Sequence, residues 1–394
     1  MTKIRVGVLF GGRSGEHEVS LLSAASVLKA INLDKYEVVP IGITKEGRWL
    51  TPPDAERLLR GEAVHSEPSG LLPASAKTAI AAATATHRKE AGVIMPPVLE
   101  SGGLAAFEDI ARSGDRAIHV DVIFPVLHGT FGEDGTIQGL LELADIAYVG
   151  AGVLGSATGM DKDVMKKLFA AADLPMVKHV TILRREWERD AKKVRRQIES
   201  KLKYPVFVKP ANLGSSVGIS KVRDRDQLAS GMEEAARYDR KIVIEEGVGG
   251  KKHKARELEC AVLGNDEPRA SVVGEIVPGA EFYSYNDKYI DEGSKPIIPA
   301  PINKKTSKAV REMALRAFKA VDCCGLARVD FLMDPKSGKV YLNEINTMPG
   351  FTKISMYPKM WEASGLRYSE LIDQLIQLAL ERHEDKKKNQ YTRA

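Results

Sequence analysis

The first 43 residues read as strand, helix, strand, and that order limits the possible folds more than any other feature of the chain. The apolar run 4–10 is a buried strand, and the span Gly11-Gly12-Arg13-Ser14-Gly15 turns the chain. A helix follows from about 18 to 30, and 36–43 is a second strand. Two strands joined through a helix run parallel, with a right-handed crossover. The spacing therefore predicts an α/β protein with a parallel N-terminal sheet. Strand character returns at 120–127, just before the span His128-Gly129-Thr130-Phe131-Gly132-Glu133-Asp134-Gly135.

At 394 residues the chain exceeds one ordinary core, so two or three domains are expected. Residues 1–150 form the first, with an alanine-, proline- and glycine-rich insertion or loosely ordered loop region at 51–116. Residues 151–249 read as an α+β unit. It holds a helix from 161 to about 172 with Asp161 as N-cap, and a charged helix over 186–203. Strands at 205–209, from 219 and at 241–245 follow, with a helix near 225–237. Residues 250–394 form a larger unit with a terminal helix at 369–383, and the polar tail from 384 is expected to be disordered.

Apolar residues make up 43% of the chain and charged ones 28%, the balance of a soluble globular protein. A net charge of +5, without a basic stripe or interleaved aromatic platform, argues against a nucleic-acid partner. Cys260, Cys323 and Cys324 have neither a disulfide framework nor zinc spacing, which suits a reducing compartment. No stretch is apolar enough for a signal core or a membrane span, so a cytoplasmic location is expected.

Chemistry concentrates in two short segments, Ala327-Arg328-Val329-Asp330-Phe331 and Asn343-Glu344-Ile345-Asn346. Each reads as a strand, and the turn-forming span 335–339 makes them a hairpin. Alternation puts Arg328 with Asp330 on one face, and Glu344 with Asn346. If Asp330 pairs near Glu344, two carboxylates, an amide and a guanidinium share a surface that suits magnesium. An amphipathic hairpin with a solvated polar face fits the same pattern, and both readings stay open.

Other motifs lie at strand ends. Glu16 follows the first glycine-rich turn, which lacks dinucleotide spacing and is either a plain turn or a close backbone approach to a small ligand. His128 stands beside flexible glycines, as a structural residue or a ligand contact. Lys209 closes an apolar strand just before Asn212-Leu213-Gly214-Ser215-Ser216-Val217-Gly218. Small residues there let N–H groups and hydroxyls close on phosphate oxygens while Lys209 neutralises charge. No Gly-Lys-Ser/Thr occurs, so this is not a Walker A loop; a flexible hairpin is the alternative. The span Tyr283-Ser284-Tyr285-Asn286-Asp287-Lys288-Tyr289 is either surface cover or a lid that excludes water. Pro349-Gly350-Phe351-Thr352 turns back beside the hairpin, where Gly350 can offer an unhindered N–H.

Taken in order, these motifs resemble the D-alanine–D-alanine ligase family of ATP-grasp enzymes. The resemblance runs from Ile4 to about Leu380 and includes Glu16-His17-Glu18-Val19-Ser20, Asp161-Lys162, Lys209-Pro210, Asp287-Lys288-Tyr289 and Arg328-Val329-Asp330. It implies a Rossmann-like N-terminal domain ahead of a two-part α+β ATP-grasp fold. It also implies that Lys162, Lys209, Ser216 and Lys288 contact the nucleotide, with Glu245, Glu246 and Val248 at adenine and Glu257 at ribose. Asp330, Glu344 and Asn346 would bind two Mg²⁺ (or Mn²⁺), and Arg328 with the Gly350 N–H would stabilise an oxyanion. Glu16 would hold the first D-alanine near His128 and Tyr283, Ser355 and Met356 the second, under a lid closed by Ser215 and Tyr289. The implied reaction activates D-alanine as an acylphosphate, releases ADP and phosphate, and yields D-alanyl-D-alanine for peptidoglycan synthesis. A homodimer is implied, and a monovalent cation such as K⁺ is left open. D-Lactate-using relatives typically lack the Lys-Tyr pair that stands here at Lys288-Tyr289, which favours an amine acceptor. An inactive ATP-binding regulator is the rival from another class.

Overall fold

The computed structural model describes residues 3–50, 52–62, 120–249, 253–277, 294–352 and 354–391. The expected opening is present as β1 (Ile4–Gly11), α1 (His17–Ala30) and β2 (Tyr36–Ile43). β3 (Val122–Val126) and β4 (Ala147–Tyr148) complete a parallel sheet in the order β2-β1-β3-β4. β3 is buried along its length, as expected for a strand covered on both faces.

Part of the expected 51–116 insertion is ordinary core structure. α2 (Pro52–Leu59) buries Ala55, Leu58 and Leu59. Its approach requires Gly42, where a Cβ would stand 3.2 Å from that of Ala55. Its helical spacing of apolar positions was hidden by the low-complexity stretch that follows, of which 63–119 lie outside the described residues.

α3 (Thr136–Leu143) and α4 (Val153–Met160) lead to α5 (Lys162–Ala171). Asp161 caps α5 as expected, its Oδ1 accepting from the N–H groups of Asp163 and Val164 at 3.1 Å each. A second sheet, β5-β8-β6-β7, is antiparallel and combines β5 (His179–Leu183), β6 (Val206–Pro210), β7 (Ser220–Val222) and β8 (Lys241–Glu246). The single charged helix expected at 186–203 is instead two, α6 (Arg184–Arg189) and α7 (Ala191–Lys201). Asp190 breaks them and caps the second through Lys193 N at 2.9 Å. α8 (Leu228–Ala236) covers this sheet, and its buried Leu228, Met232 and Ala235 share a core with β6 and β8.

The third sheet has the order β11-β10-β9-β12-β13, from β9 (Arg256–Gly264), β10 (Arg269–Val277), β11 (Lys295–Ile297), β12 (Gly325–Met333) and β13 (Val340–Asn346). α9 (Lys304–Ala320) packs Val310, Ala314, Ala317 and Phe318 into the core it shares with β9, β10 and β12. α10 (Met356–Ala363) and α11 (Tyr368–Lys386) close the chain. α11 carries through 384–386, residues expected to be disordered, because its i to i−4 ladder continues to Lys387 N on His383 O at 3.2 Å. Leu371, Ile372, Leu375 and Ile376 of α11 join one core with Val6, Phe10 and Phe124 of the first sheet.

Candidate active site

The two hairpin strands are antiparallel neighbours in the register that brings the chemistry together, Asp330 opposite Glu344 and Arg328 opposite Asn346. The ladder carries a bulge: Phe331 faces Leu342 and Asp330 faces Glu344, so Asn343 is the extra residue. A bulge turns two consecutive side chains toward the same side. Asn343 and Glu344 accordingly both line the cleft between the second and third sheets, while Leu342 and Ile345 go to the core. Asn343 Oδ1 is buried there without a hydrogen-bond partner among the described residues. An acceptor left open in a cleft wall suits a polar ligand.

This cleft spans about 1230 Å³, part of it open to solvent, enough for a sizeable small molecule. Lys209, Ser216, Glu245, Glu246, Val248, Glu257, Arg328, Asp330 and Glu344 all line it. A smaller chamber adjoins it, sharing Arg328 and Glu344 and adding Glu16, Glu133, Lys162, Ser215 and Asn346. The loop between them holds Ser215 and Ser216 at φ of 49° and 61°. Two consecutive non-glycine residues in the left-handed region cost free energy, and such strain gathers at binding loops. The same loop presses on Glu16: a Cβ at Gly214 would stand 2.7 Å from Glu16 Oε1.

Arg328 is held as a fork. Its Nε and Nη2 donate to Asp330 Oδ1 and Oδ2 at 2.8 and 2.7 Å, and Glu259 Oε2 lies 3.2 Å from Nε. Lys162 Nζ donates to Leu213 O at 2.7 Å, tying α5 to the serine loop. At the cleft floor Glu245 lies between two lysines, 2.8 Å from Lys166 Nζ and 2.7 Å from Lys209 Nζ. Burial pushes the Glu245 carboxyl up, but the two ammonium groups outweigh it and hold it well below the usual carboxylate range. Burial would lower the Lys209 ammonium, yet Glu245 and Glu344 together raise it above its ordinary value. Lys209 is therefore a lasting positive charge.

In the smaller chamber Glu16 stands at the N-terminus of α1, where the helix dipole favours an anion. Glu16, His128 and Glu133 place one ligating atom each within 4.8 Å of one another. Burial and the Glu16 carboxylate push the Glu133 carboxyl well above the usual range. Burial lowers the His128 imidazole despite the pull of Glu16. Both effects limit the charge beside Glu16, which leaves that carboxylate suited to an ammonium group. His128 is tied into the scaffold, its Nδ1 donating to Met348 O and its Nε2 accepting from the Ser23 hydroxyl, each at 3.0 Å.

Asp330, Glu344 and Asn346 offer only oxygen ligands, the donor set of a hard divalent cation. Asn346 Oδ1 is oriented by accepting from Met348 N at 3.0 Å. These residues fit magnesium.

The remaining expected residues are placed differently. Gly350, Ser355 and Met356 are absent from the described lining of both chambers. Gly350 is buried next to Phe351, whose N–H donates to Ser23 Oγ at 3.3 Å. Ser355 Oγ accepts from Thr352 N at 3.0 Å. The Met356 side chain enters the core, so close to β10 that a Cβ at Gly274 would lie 2.5 Å from its Cε. That side chain is therefore not presented to either chamber. Tyr283, Lys288 and Tyr289 lie outside the described residues.

Sequence reasoning missed Lys166, Asn343 and Glu259. For Asn343 a signal was present: apolar Leu342 and Ile345 are three apart, a spacing strict alternation forbids. For Lys166 there was none, because its partner Glu245 is distant in sequence.

Family models described as D-ala D-ala ligase N-terminus and D-ala D-ala ligase C-terminus match residues 5–151 and 168–377. The chain is 50% identical over 384 residues to a D-alanine–D-alanine ligase of Acetivibrio thermocellus, covering 97% of each. It is 48% identical over 392 residues to one of Bacillus cytotoxicus, covering 100% of each. Among solved structures, a D-alanine–D-alanine ligase from Coxiella burnetii superposes with a TM-score of 0.76 at 35% identity, over 98% of this chain and 97% of that one. VanG D-Ala:D-Ser ligase from Enterococcus faecalis follows at 0.74 and 36%, over 96% of this chain and 100% of that one. Likeness of this degree along the whole length has one meaning: the chain belongs to the D-alanine–D-alanine ligase family.

Proposed function

We propose that this protein joins two D-alanine molecules at the expense of ATP, making D-alanyl-D-alanine for peptidoglycan precursors. The observation that carries the reading is the hairpin register, which sets two carboxylates, an amide and a guanidinium at the junction of two chambers. ATP fits the larger one, its phosphates toward Lys209, Lys162 and the serine loop and its adenosine toward Glu245, Glu246, Val248 and Glu257. Asp330, Glu344 and Asn346 would hold two Mg²⁺ or Mn²⁺, which supply positive charge against the phosphates.

The first D-alanine places its ammonium on Glu16 and its carboxylate near Arg328. That carboxylate is a poor electrophile until it takes the γ-phosphoryl group and becomes an acylphosphate. Attack by the amine of the second D-alanine forms a tetrahedral oxyanion, which Arg328 is placed to stabilise, with the Gly350 N–H assigned the same task. Loss of phosphate leaves the peptide bond. Water must be kept out meanwhile, a task assigned to Ser215 with Tyr283 and Tyr289, while Lys288 would contact the nucleotide. His128 sets the floor beneath Glu16, and Ser355 with the Met356 backbone would face the second substrate.

The deciding measurement is ADP release with D-alanine, D-serine, D-lactate or no acceptor. Coupled turnover with D-alanine is expected; ATP binding without acceptor-dependent ADP release would mean an ATP-binding regulator instead. The same reading takes the enzyme as a cytoplasmic homodimer, which sedimentation tests for assembly. No described helix is long and apolar enough to cross a membrane.

A further inference from the structure

Lys166 has no access to the cleft, since its side chain is fully buried. Its ammonium nevertheless connects two walls of that cleft, 2.8 Å from Glu245 Oε1 on β8 and donating to Asn343 O on the β13 bulge at 3.3 Å. The other Glu245 oxygen faces Lys209, which does line the cleft. One carboxylate shared by two lysines leaves a single net positive charge. One carboxylate facing Lys209 alone would leave none. Screening is weak at a buried site, so that difference extends to whatever sits beside Lys209.

We propose that Lys166 is a positioning residue for the nucleotide: by neutralising Glu245 it leaves the Lys209 ammonium available to phosphate. Its bond to Asn343 O holds the carboxylate hairpin in step with that lysine. The inference rests on the ligase reading, because it takes ATP as the ligand of the larger chamber.

The test is calorimetric titration of the full-length protein with ATP and Mg²⁺. Lys166→Met is expected to weaken ATP binding by about tenfold or more, through loss of one buried positive charge. Lys166→Gln keeps a hydrogen-bond donor but no charge and is expected to weaken it likewise. The double variant Lys166→Met with Glu245→Gln removes one charge of each sign. It is expected to bind ATP more tightly than Lys166→Met alone, since the pair is strongly coupled. A purely structural role would give no such recovery. Folded single variants that bind ATP as the parent does would overturn the proposal, and so would a double variant no tighter than Lys166→Met. If Lys166→Met does not fold, Lys166→Gln and the double variant carry the same comparison. Failure of the parent itself to bind ATP would instead remove the ligase reading.

Discussion

Glu344 shares its surface with Asp330, Asn346 and the Arg328 guanidinium, so its charge matters more than its bulk. Glu344→Gln keeps the shape and is expected to cut turnover by about a hundredfold or more through weakened magnesium binding. Its melting temperature should stay within about 2 °C of the parent. Steady-state rates at several magnesium concentrations, with a melting curve, check this; a folded variant with full turnover would take Glu344 out of the metal set. Glu245 gives a second prediction. Its carboxyl is held below its ordinary value of 4.5 in the folded chain, so the unfolded chain binds more protons in acid. Its stabilising contribution is complete above that ordinary value and is lost as pH falls below it. The double variant at Lys166 and Glu245 should therefore show a flatter fall of melting temperature in acid than the parent, and an identical fall would deny the triad that role. Sequence alone could nominate Lys209 and Glu16, each a charged residue at the end of an apolar strand or a glycine turn, and Asp330, by alternation along a strand paired with that of Glu344. Lys166 sits in the charged run Lys162-Asp163-Val164-Met165-Lys166-Lys167, where nothing tells an inward lysine from an outward one.

Among the elements, α5 is held at its start by one side chain. Asp161 caps it, accepts from Asn212 Nδ2 at 3.1 Å and pairs with Lys241. Asp161→Ala is expected to cost about 1–2 kcal/mol in urea unfolding, and Asp161→Asn clearly less, since an amide oxygen still caps. Equal losses in both would credit the Lys241 pair rather than the cap. This cap was readable because an aspartate before a helical apolar pattern has a local cause. The β13 bulge was not, because alternation assumes an unbroken ladder. The split of the 186–203 helix was missed for a related reason: Asp190 is unremarkable in a charged helix until its side chain is seen to cap the next one.

Across the molecule, the first and third sheets are not independently covered. Phe124 of β3 meets Phe351 edge to face at 5.6 Å, and α11 lays its apolar stripe over the same cluster. Arg382 of α11 stacks on Tyr148 at 4.3 Å and donates to Tyr148 O at 3.0 Å. Ending the chain at Arg367 would take α11 off β3 and β4 and uncover core residues there, Phe124 and Ala147 among them. The truncated protein is expected to lose its cooperative melting transition, measured by circular dichroism. A truncated chain that still melts sharply and binds ATP would show that α11 is dispensable. Element order announced the parallel sheet from its first strands, but no local pattern shows that the final helix returns to cover it.

That return has a bearing on how the protein is made. Ribosomes make β1 long before α11, so during synthesis the part of the opening sheet that α11 covers waits bare while the residues between them are added. Synthesis that stopped before α11 would release a polypeptide still lacking that cover, a substrate for chaperones and proteases rather than a slightly shortened enzyme.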